Sequence, residues 1–445
     1  MKHTDDKFSS GAENRRAFLK NSALLAGGAA LSTMPFSPVY AEAKDEIKIA
    51  LIGCGDRGTG AATQALSTKF KLKLVAMGDA FKDRLDNSHS LLLQKFGKEK
   101  IAVPEDKKFV GFDAFKKAIA EADVVLLATP PGFRPYHFEE AVKQGKQIFM
   151  EKPVATDAPG IRRVLAAAEE AKKKKLNVVV GLQRRYQKNY REMLKRVQDG
   201  ELGDILSGQV YWNSGGVWVR PRQAGQTEMQ YQMRNWYYFN WLCGDHITEQ
   251  HVHNIDIANW VKNGPPVSAY GVGSRYERVG KEYGEIFDNH SVEFVYKDGT
   301  VIKSQCCHYE GCDSRVDESF QGTKGRLYLS AGNQGKIWDP KGNAVYNYEG
   351  RNDPNPYQTE HDELFEAVVN GEYKFWDAER AATSTMTSIL GRLATYSGKN
   401  VSWDDAIKSE ISLFPETLAW DAKPKVLPGA DGMYAAAIPG KTKVV

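Results

Sequence analysis

The chain has 445 residues, 42% apolar and 26% charged, with 60 Lys and Arg against 56 Asp and Glu for a net charge of +4. That balance excludes a disordered chain, and the interspersed signs give no basis for a nucleic-acid partner. Five cysteines (Cys54, Cys243, Cys306, Cys307, Cys312) are odd in number and lack paired metal-finger spacing, which excludes a disulfide scaffold but leaves open a bond from Cys306 or Cys307 to Cys312.

The first segment stands outside the fold. Residues 14–20 read Asn-Arg-Arg-Ala-Phe-Leu-Lys, an apolar small-residue stretch follows, and "VYAEA" ends it near Ala41 or Ala43. A basic start, a short apolar middle and a small-residue exit predict an export signal over residues 1–43. It resembles a twin-arginine signal, with Asn14 where Ser or Thr is usual, and implies a folded, exported, periplasmic protein. Its apolar part, about 15 residues, falls short of the roughly 20 needed to span a bilayer; an uncleaved membrane anchor is the other reading. Roughly 400 residues then remain, enough for two domains.

Residues 46–53, "EIKIALIG", predict a buried parallel strand. Gly53-Cys54-Gly55-Asp56-Arg57-Gly58 follows, and the pattern serves a tight turn, a close backbone approach to a pyrophosphate and close helix packing. Alone it is a weak signal, since a plain strand–helix turn uses the same residues. A second strand, "KLKLVAMGD", ends in Asp79, 26 residues after Gly53, where an acid meets the adenosine ribose. A carboxylate there repels a 2′-phosphate and favours NAD over NADP; capping the next helix is its simpler role. "ADVVLLATPPG" and "KQIFMEKP" predict two more strands, alternating with helices at 82–96, 113–121 and 135–144. The pattern gives an α/β doubly wound parallel sheet over 44–185. Ligands bind at the carboxyl ends of such strands, so Thr129, Pro130 and Glu151 to Pro153 are expected at the cofactor crevice, joined by His137 and Gln183.

Lys152 can hold a hydroxyl or carbonyl oxygen beside a nicotinamide, and the Lys-Pro bond fixes the backbone there. A parallel sheet of this length ending in Glu151-Lys152-Pro153, with "GCGDRG", "GLQRRY" and the histidine-rich block described below, resembles the Gfo/Idh/MocA oxidoreductases from about residue 46 to 420. The resemblance implies a Rossmann domain and a second α+β domain over 186–425. It implies a tightly bound NAD and a homodimer or homotetramer without stable membrane insertion. The implied activity is dehydrogenation of a secondary hydroxyl of a sugar or glycoside, C3 among the candidate carbons. Some exported relatives instead hydrolyse glycosides through transient C3 oxidation, elimination, water addition and re-reduction, and the sequence separates the two poorly.

After a helix from 159, "NVVVGLQRRY" closes the first sheet. Arg185 and Tyr186 there meet either substrate hydroxyls or a structural salt-bridge corner. Strands at "DILSGQVYWN", "PVSAYGVGSRY", "HSVEFVYKDGTVIKSQCCHY" and "RVDESFQGTKGRLYLS" predict a large, mostly antiparallel open sheet, with hairpins at "KDGT" and "GTKGR". Two helices follow, "YQTEHDELFEAVVNGE" and "AERAATSTMTSILGRLATYSGK", the second packing back on the first domain, and then a tail over 426–445. Residues 213–235 and "RNDPNPYQTE" are expected to be long loops. The first, with Trp212 and Trp236 at its ends, has the aromatic, amide and guanidinium groups that suit sugar rings; a lid without sugar contact is the alternative.

"GDHITEQHVHNIDIANW" (244–260) holds three histidines, a third of the chain's nine. Read as one helix, it puts Glu249, His253, Asp256 and Trp260 on one face. His251 and His253 diverge by about 200°, and the zinc-binding His-Glu-x-x-His spacing is absent, so no metal is expected. The family resemblance assigns an acid and a base to this segment. Glu249 stands where an Asp is usual and His253 is the proton acceptor, with Asp256 following as a substrate-side acid. His246 and His251 receive no role.

Overall fold

The structure is a computed structural model that describes residues 46–445; the expected export signal lies outside them. The apolar run after Glu46 forms β1 (Ile47–Ile52), five of whose six residues are buried, as a parallel strand covered on both faces requires. It is followed by α1 (Asp56–Leu66), β2 (Leu72–Asp79), α2 (Lys82–Lys100), β3 (Lys108–Val110), α3 (Ala114–Ala120) and β4 (Val124–Leu127). Then come α4 (Arg134–Lys143), β5 (Gln147–Met150), α5 (Ala158–Lys173) and β6 (Val178–Val180). All strand pairs are parallel, in the order β3-β2-β1-β4-β5-β6. The order reverses between β1 and β4, which opens a crevice at their carboxyl ends. Strand β3, three residues at the sheet edge, is too short to leave a periodic signal.

The second half runs α6 (Lys188–Gln198), β7 (Ile205–Ser214), α7 (Glu228–Arg234), α8 (Asn240–Cys243), α9 (His246–Glu249) and α10 (Val252–Lys262). Next come β8 (Ser268–Ser274), β9 (Asn289–Val295), β10 (Val301–His308), β11 (Arg315–Gly322), β12 (Gly325–Ser330), β13 (Gln334–Trp338) and β14 (Ala344–Glu349). The chain then forms α11 (Pro356–Val369), α12 (Ala378–Ser397), β15 (Val401–Ser402) and α13 (Trp403–Lys408). Nine strands form the second sheet, β14-β13-β12-β11-β7-β10-β9-β8-β15, and only β7–β10 pairs parallel. The two expected hairpins are β9–β10 and β11–β12.

Three expectations change. The 213–235 stretch contains α7, whose Thr227 and Gln230 form a reciprocal capping box. In "RNDPNPYQTE" helix α11 already starts at Pro356, capped by Asn355. The histidine block is not one helix: Gly244 and Asp245 at φ 78° and 71° precede α9, and the chain breaks again at Gln250 and His251.

Helix α12 is buried along nearly its whole length and packs on both α5 and β8, so it sits between the halves as expected. Arg392 within it donates to the carbonyls of Gly244 (2.9 Å) and Thr156 (2.8 Å), fastening one half to the other. One apolar core consequently runs from Ala50 and Ile148 of the first sheet to Phe294 and Phe320 of the second. From Ser409 onward the chain has no helix or strand and is held by aromatic contacts, Trp420 on Phe81 (5.0 Å) and Phe112 (4.5 Å), and Tyr434 on Phe239 (5.0 Å). All five cysteines are free.

Candidate active site

A cavity of about 470 Å³ follows the β1–β4 crevice and continues between the two halves. Its floor is the first glycine turn. Gly53 has φ 93°, and a Cβ on it would stand 2.5 Å from the Thr129 nitrogen. On Gly58 a Cβ would stand 1.8 Å from the Gly53 carbonyl, so only glycine lets α1 approach β1 this closely. At Gly55 the corresponding space is open, and no side chain caps the α1 N-terminus. Bare N–H groups facing an open cradle fit a pyrophosphate. Asp56 and Arg57 line the same wall.

Asp79, at the end of β2, accepts from the backbone nitrogens of Cys54 (2.6 Å) and Phe81 (2.8 Å). Burial pushes its carboxyl above the usual range, against those two hydrogen bonds. Its remaining lone pairs suit a ribose diol. Past Asp79 the wall is made by Phe81, Phe112 and Arg84. Arg234 of α7 lies 3.8 Å over the Phe81 ring and grips Asp83 with two hydrogen bonds of 2.7 and 2.8 Å. This end of the cavity is thus walled by residues from both halves, with Trp420 packed on Phe81 and Phe112.

At the β4 end, Thr129 hydrogen-bonds the His137 ring (3.1 Å), and Arg134 donates to the carbonyls of Thr129 and Glu151. Arg134 is buried, and desolvation brings it down to about 10. Burial and the Arg134 charge bring His137 down to about 3, so it is neutral and serves as a hydrogen-bonding wedge. Pro130 and Gln183 also line this part of the cavity. Glu151 takes Arg57 at 2.5 Å and occupies the space a Cβ on Gly181 would need. The Lys152–Pro153 peptide is cis.

Lys152 reaches across to the second half. Its Nζ donates to the Glu249 carbonyl (2.5 Å) and carboxylate (3.1 Å), both side chains being 15% exposed. His253 lies in the first turn of α10, buried, with Nδ1 unpartnered. Burial, then the charges of Lys152 and Arg184, hold its imidazole well below its ordinary pKa, so it is neutral and can accept a proton. Trp212 of β7 stacks on it at 5.9 Å and 24°. Lys152, Glu249, His253, Trp212 and Trp236 all line the one cavity.

Three expected substrate contacts do not. Arg185 and Asp256 form a two-pronged ion pair with each other (2.8 Å each), closed by Ser384 on Asp256 (2.7 Å) and Trp260 beneath the guanidinium (4.5 Å). Tyr186 is buried with its hydroxyl on Asp377 (2.6 Å). The turn accounts for the arginines: Gln183–Tyr186 is 3₁₀, so Arg184 and Arg185 leave about 120° to either side of Gln183, while Tyr186 is held by Asp377, and of the four only Gln183 lines the cavity. Conversely, Gln250, Trp218, Arg220, Met233 and Tyr357 line the cavity but were not expected there. Their elements are brought in by tertiary packing, and only the Trp and Arg content of the 213–235 stretch hinted at two of them.

His246 and His251 do not reach the cavity. His251 hydrogen-bonds Ser304 (2.8 Å). His246, with Asp245 and His290, forms the only set among the described residues whose ligand atoms could converge on a metal. One Asp245 oxygen lies 2.9 Å from His246 Nδ1 and 3.3 Å from His290 Nε2; the other accepts from Phe287 N (3.0 Å) and Tyr396 (2.5 Å). Burial pushes the Asp245 carboxyl up, but His290 and His246 outweigh it and hold it well below the usual range. The set reads as a buried ion pair that fixes α9.

Two family models match the chain: "Oxidoreductase family, NAD-binding Rossmann fold" over residues 47–181, and the GFO/IDH/MocA C-terminal domain over 190–328. The chain belongs to the Gfo/Idh/MocA oxidoreductase family. It is 25% identical over 286 residues to an inositol 2-dehydrogenase of Rhizobium meliloti, covering 63% of this chain and 74% of the relative. It is likewise 25% identical over 290 residues to a Bacillus subtilis scyllo-inositol 2-dehydrogenase (NAD(+)), covering 64% and 74%. Among solved structures, the aldose-aldose oxidoreductase of Caulobacter crescentus superposes with TM-score 0.62 at 19% identity, covering 80% of this chain and 99% of that one. The Lactobacillus casei scyllo-inositol dehydrogenase with NAD(H) and scyllo-inositol gives 0.60 at 19%, covering 81% and 99%. As a member of this family the chain is an NAD-dependent oxidoreductase, and the Gly53–Gly58 cradle and Asp79 fit that cofactor.

Proposed function

We propose that the protein oxidises a secondary hydroxyl of a sugar or glycoside, with His253 as proton acceptor and Lys152 as the group that holds the reacting oxygen. The observation that carries this reading is the meeting of Lys152 Nζ, Glu249 and the His253 imidazole in the cavity that begins at the glycine cradle. NAD, when bound, supplies the hydride acceptor. His253, neutral and desolvated, takes the hydroxyl proton. Lys152 donates to the same oxygen and is aimed by its two bonds to Glu249. Glu249 is therefore the orienter of the lysine.

Two further parts of the reading are a cofactor kept through turnover and export of the folded, loaded protein. The build of the adenosine end supports the first: Phe81 and Phe112 are backed by Trp420, and the Arg234–Asp83 pair bridges the halves. The curated relatives named above are dehydrogenases, which favours dehydrogenation over glycoside hydrolysis.

The test is to denature the purified protein, identify any released nucleotide, and follow sugars, polyols and glycosides by NMR. A keto product with NAD is the expected result. Free sugar plus aglycone would replace the reading with the hydrolytic one, and no turnover of any carbohydrate with NAD would end it.

A further inference from the structure

The outer part of the cavity is built from residues that hydride transfer does not require. Trp218, on the segment that follows β7, lines the cavity and is 38% exposed. It meets Trp236 edge-on at 5.7 Å and Tyr237 at 6.2 Å, so two rings brace it from the protein side. The Arg220 guanidinium lies 5.4 Å from its ring, also lines the cavity, and has no ion pair among the described residues.

The segment is tied down rather than free to swing. Gly216 N donates to Glu310 (2.9 Å), Tyr238 donates to the Val217 carbonyl (3.0 Å), and Arg220 N donates to Asn235 (2.9 Å). Asn235 is itself held by the Glu282 carbonyl (2.7 Å). Holding a half-exposed tryptophan in a fixed pose is what a stacking surface needs, because the ordering cost is met before the ligand arrives.

The ring that is oxidised already has a neighbour in Trp212, which stacks on His253. Trp218 and Arg220 are a second platform with its own guanidinium. We infer that Trp218 and Arg220 form a subsite for a second ring, joined through the glycosidic oxygen to the one that is oxidised. The substrate is then a glycoside with a ring-shaped aglycone, a sugar or an aryl group, and not a free monosaccharide or an inositol. The apolar face of that ring stacks on the indole, and Arg220 donates to its hydroxyl or ring oxygens. The inference rests on the proposed function and narrows its substrate class.

The test is calorimetric binding to the NAD-loaded protein with matched ligands: methyl and phenyl β-D-glucopyranoside, and glucose and cellobiose. The wild type should bind the phenyl glucoside about tenfold tighter than the methyl glucoside, cellobiose about tenfold tighter than glucose, or both; which pair responds tells an aryl from a sugar aglycone. Trp218→Ala should bring the responding ratio to within twofold, and Trp218→Phe should keep most of it. Equal affinity within both pairs, no binding by any of the four, or a preference that survives Trp218→Ala overturns the inference. The proposed function fails separately, if no carbohydrate is oxidised while the ring preference persists.

Discussion

Replacing Asp79 by Asn separates its two roles. Its carboxylate accepts from Cys54 N at 2.6 Å with one oxygen and from Phe81 N at 2.8 Å with the other. The amide of Asp79→Asn has a single acceptor oxygen, so its NH2 group must face one of those two donors. A buried donor left without a partner costs about 1–3 kcal/mol, which should lower thermal stability whether or not the residue meets cofactor. Cofactor selectivity is different. A carboxylate about 4 Å from a 2′-phosphate is repelled by about 4 kcal/mol at an effective dielectric of 20, and Asn removes that repulsion. The NAD-over-NADP preference should therefore fall by at least about 30-fold, even with half the Coulomb energy screened. The assay is titration of both nucleotides onto protein freed of copurified cofactor, with thermal melts alongside. Because burial raises the Asp79 carboxyl, wild-type selectivity should also weaken in acid, where the charge is lost. A melt that drops while the nucleotide ratio stays fixed would refute the ribose assignment and leave Asp79 only a brace for the two loops.

His253→Ala should abolish turnover with NAD still bound. In the wild type the acid limb of kcat/KM should lie below pH 6.5, because protonated His253 cannot accept a proton and its pKa is held well below that value by burial and Lys152; a limb above 6.5 contradicts the assignment. Lys152→Met should lower kcat by about 10²–10⁴ without releasing NAD, and a near-wild-type rate would remove the lysine from the reaction. Asp256→Ala leaves the Arg185 guanidinium, 10% exposed, without its carboxylate and should cost about 2–4 kcal/mol in a denaturant melt, with KM unchanged; raised KM with intact stability would return this pair to the substrate site. A chelator should leave the rate unchanged, and inhibition restored by added metal would give Asp245, His246 and His290 an ion to hold.

What the sequence made legible was local. Gly53 to Gly58, Asp79 and Lys152 each sit at the carboxyl end of a strand whose buried, β-branched run is readable without context, and parallel-sheet topology directs all such ends to one crevice. Legibility failed where the outcome depended on which way one turn points or what packs against it. Arg184, Arg185 and Tyr186 adjoin the same crevice in sequence, yet their side chains pair with Glu318, Asp256 and Asp377. Tyr357 and Trp420 lie hundreds of residues beyond the glycine turn, and no periodicity connects them to a nucleotide.

The histidine block shows how two residues expected on one wall can reach it by a backbone other than the expected one. An unbroken helix would have put Glu249 and His253 on one face, and both do line the cavity. They reach it from two helices, Glu249 closing α9 and His253 in the first turn of α10. The break changes the chemistry. An imidazole in the middle of a helix feels little of the helix field, whereas one in the first turn lies at its positive end, where protonation is disfavoured. That field adds to burial and to the charges of Lys152 and Arg184, all of one sign, in keeping His253 neutral. The same break turns the Glu249 carbonyl outward, and Lys152 takes it as an acceptor at 2.5 Å. A continuous helix would have consumed that carbonyl in its own i to i+4 ladder and left the lysine with the carboxylate alone. The interruption at Gln250 and His251 is thus what lets one segment give the lysine an acceptor at the end of α9 and the cavity an imidazole from the start of α10.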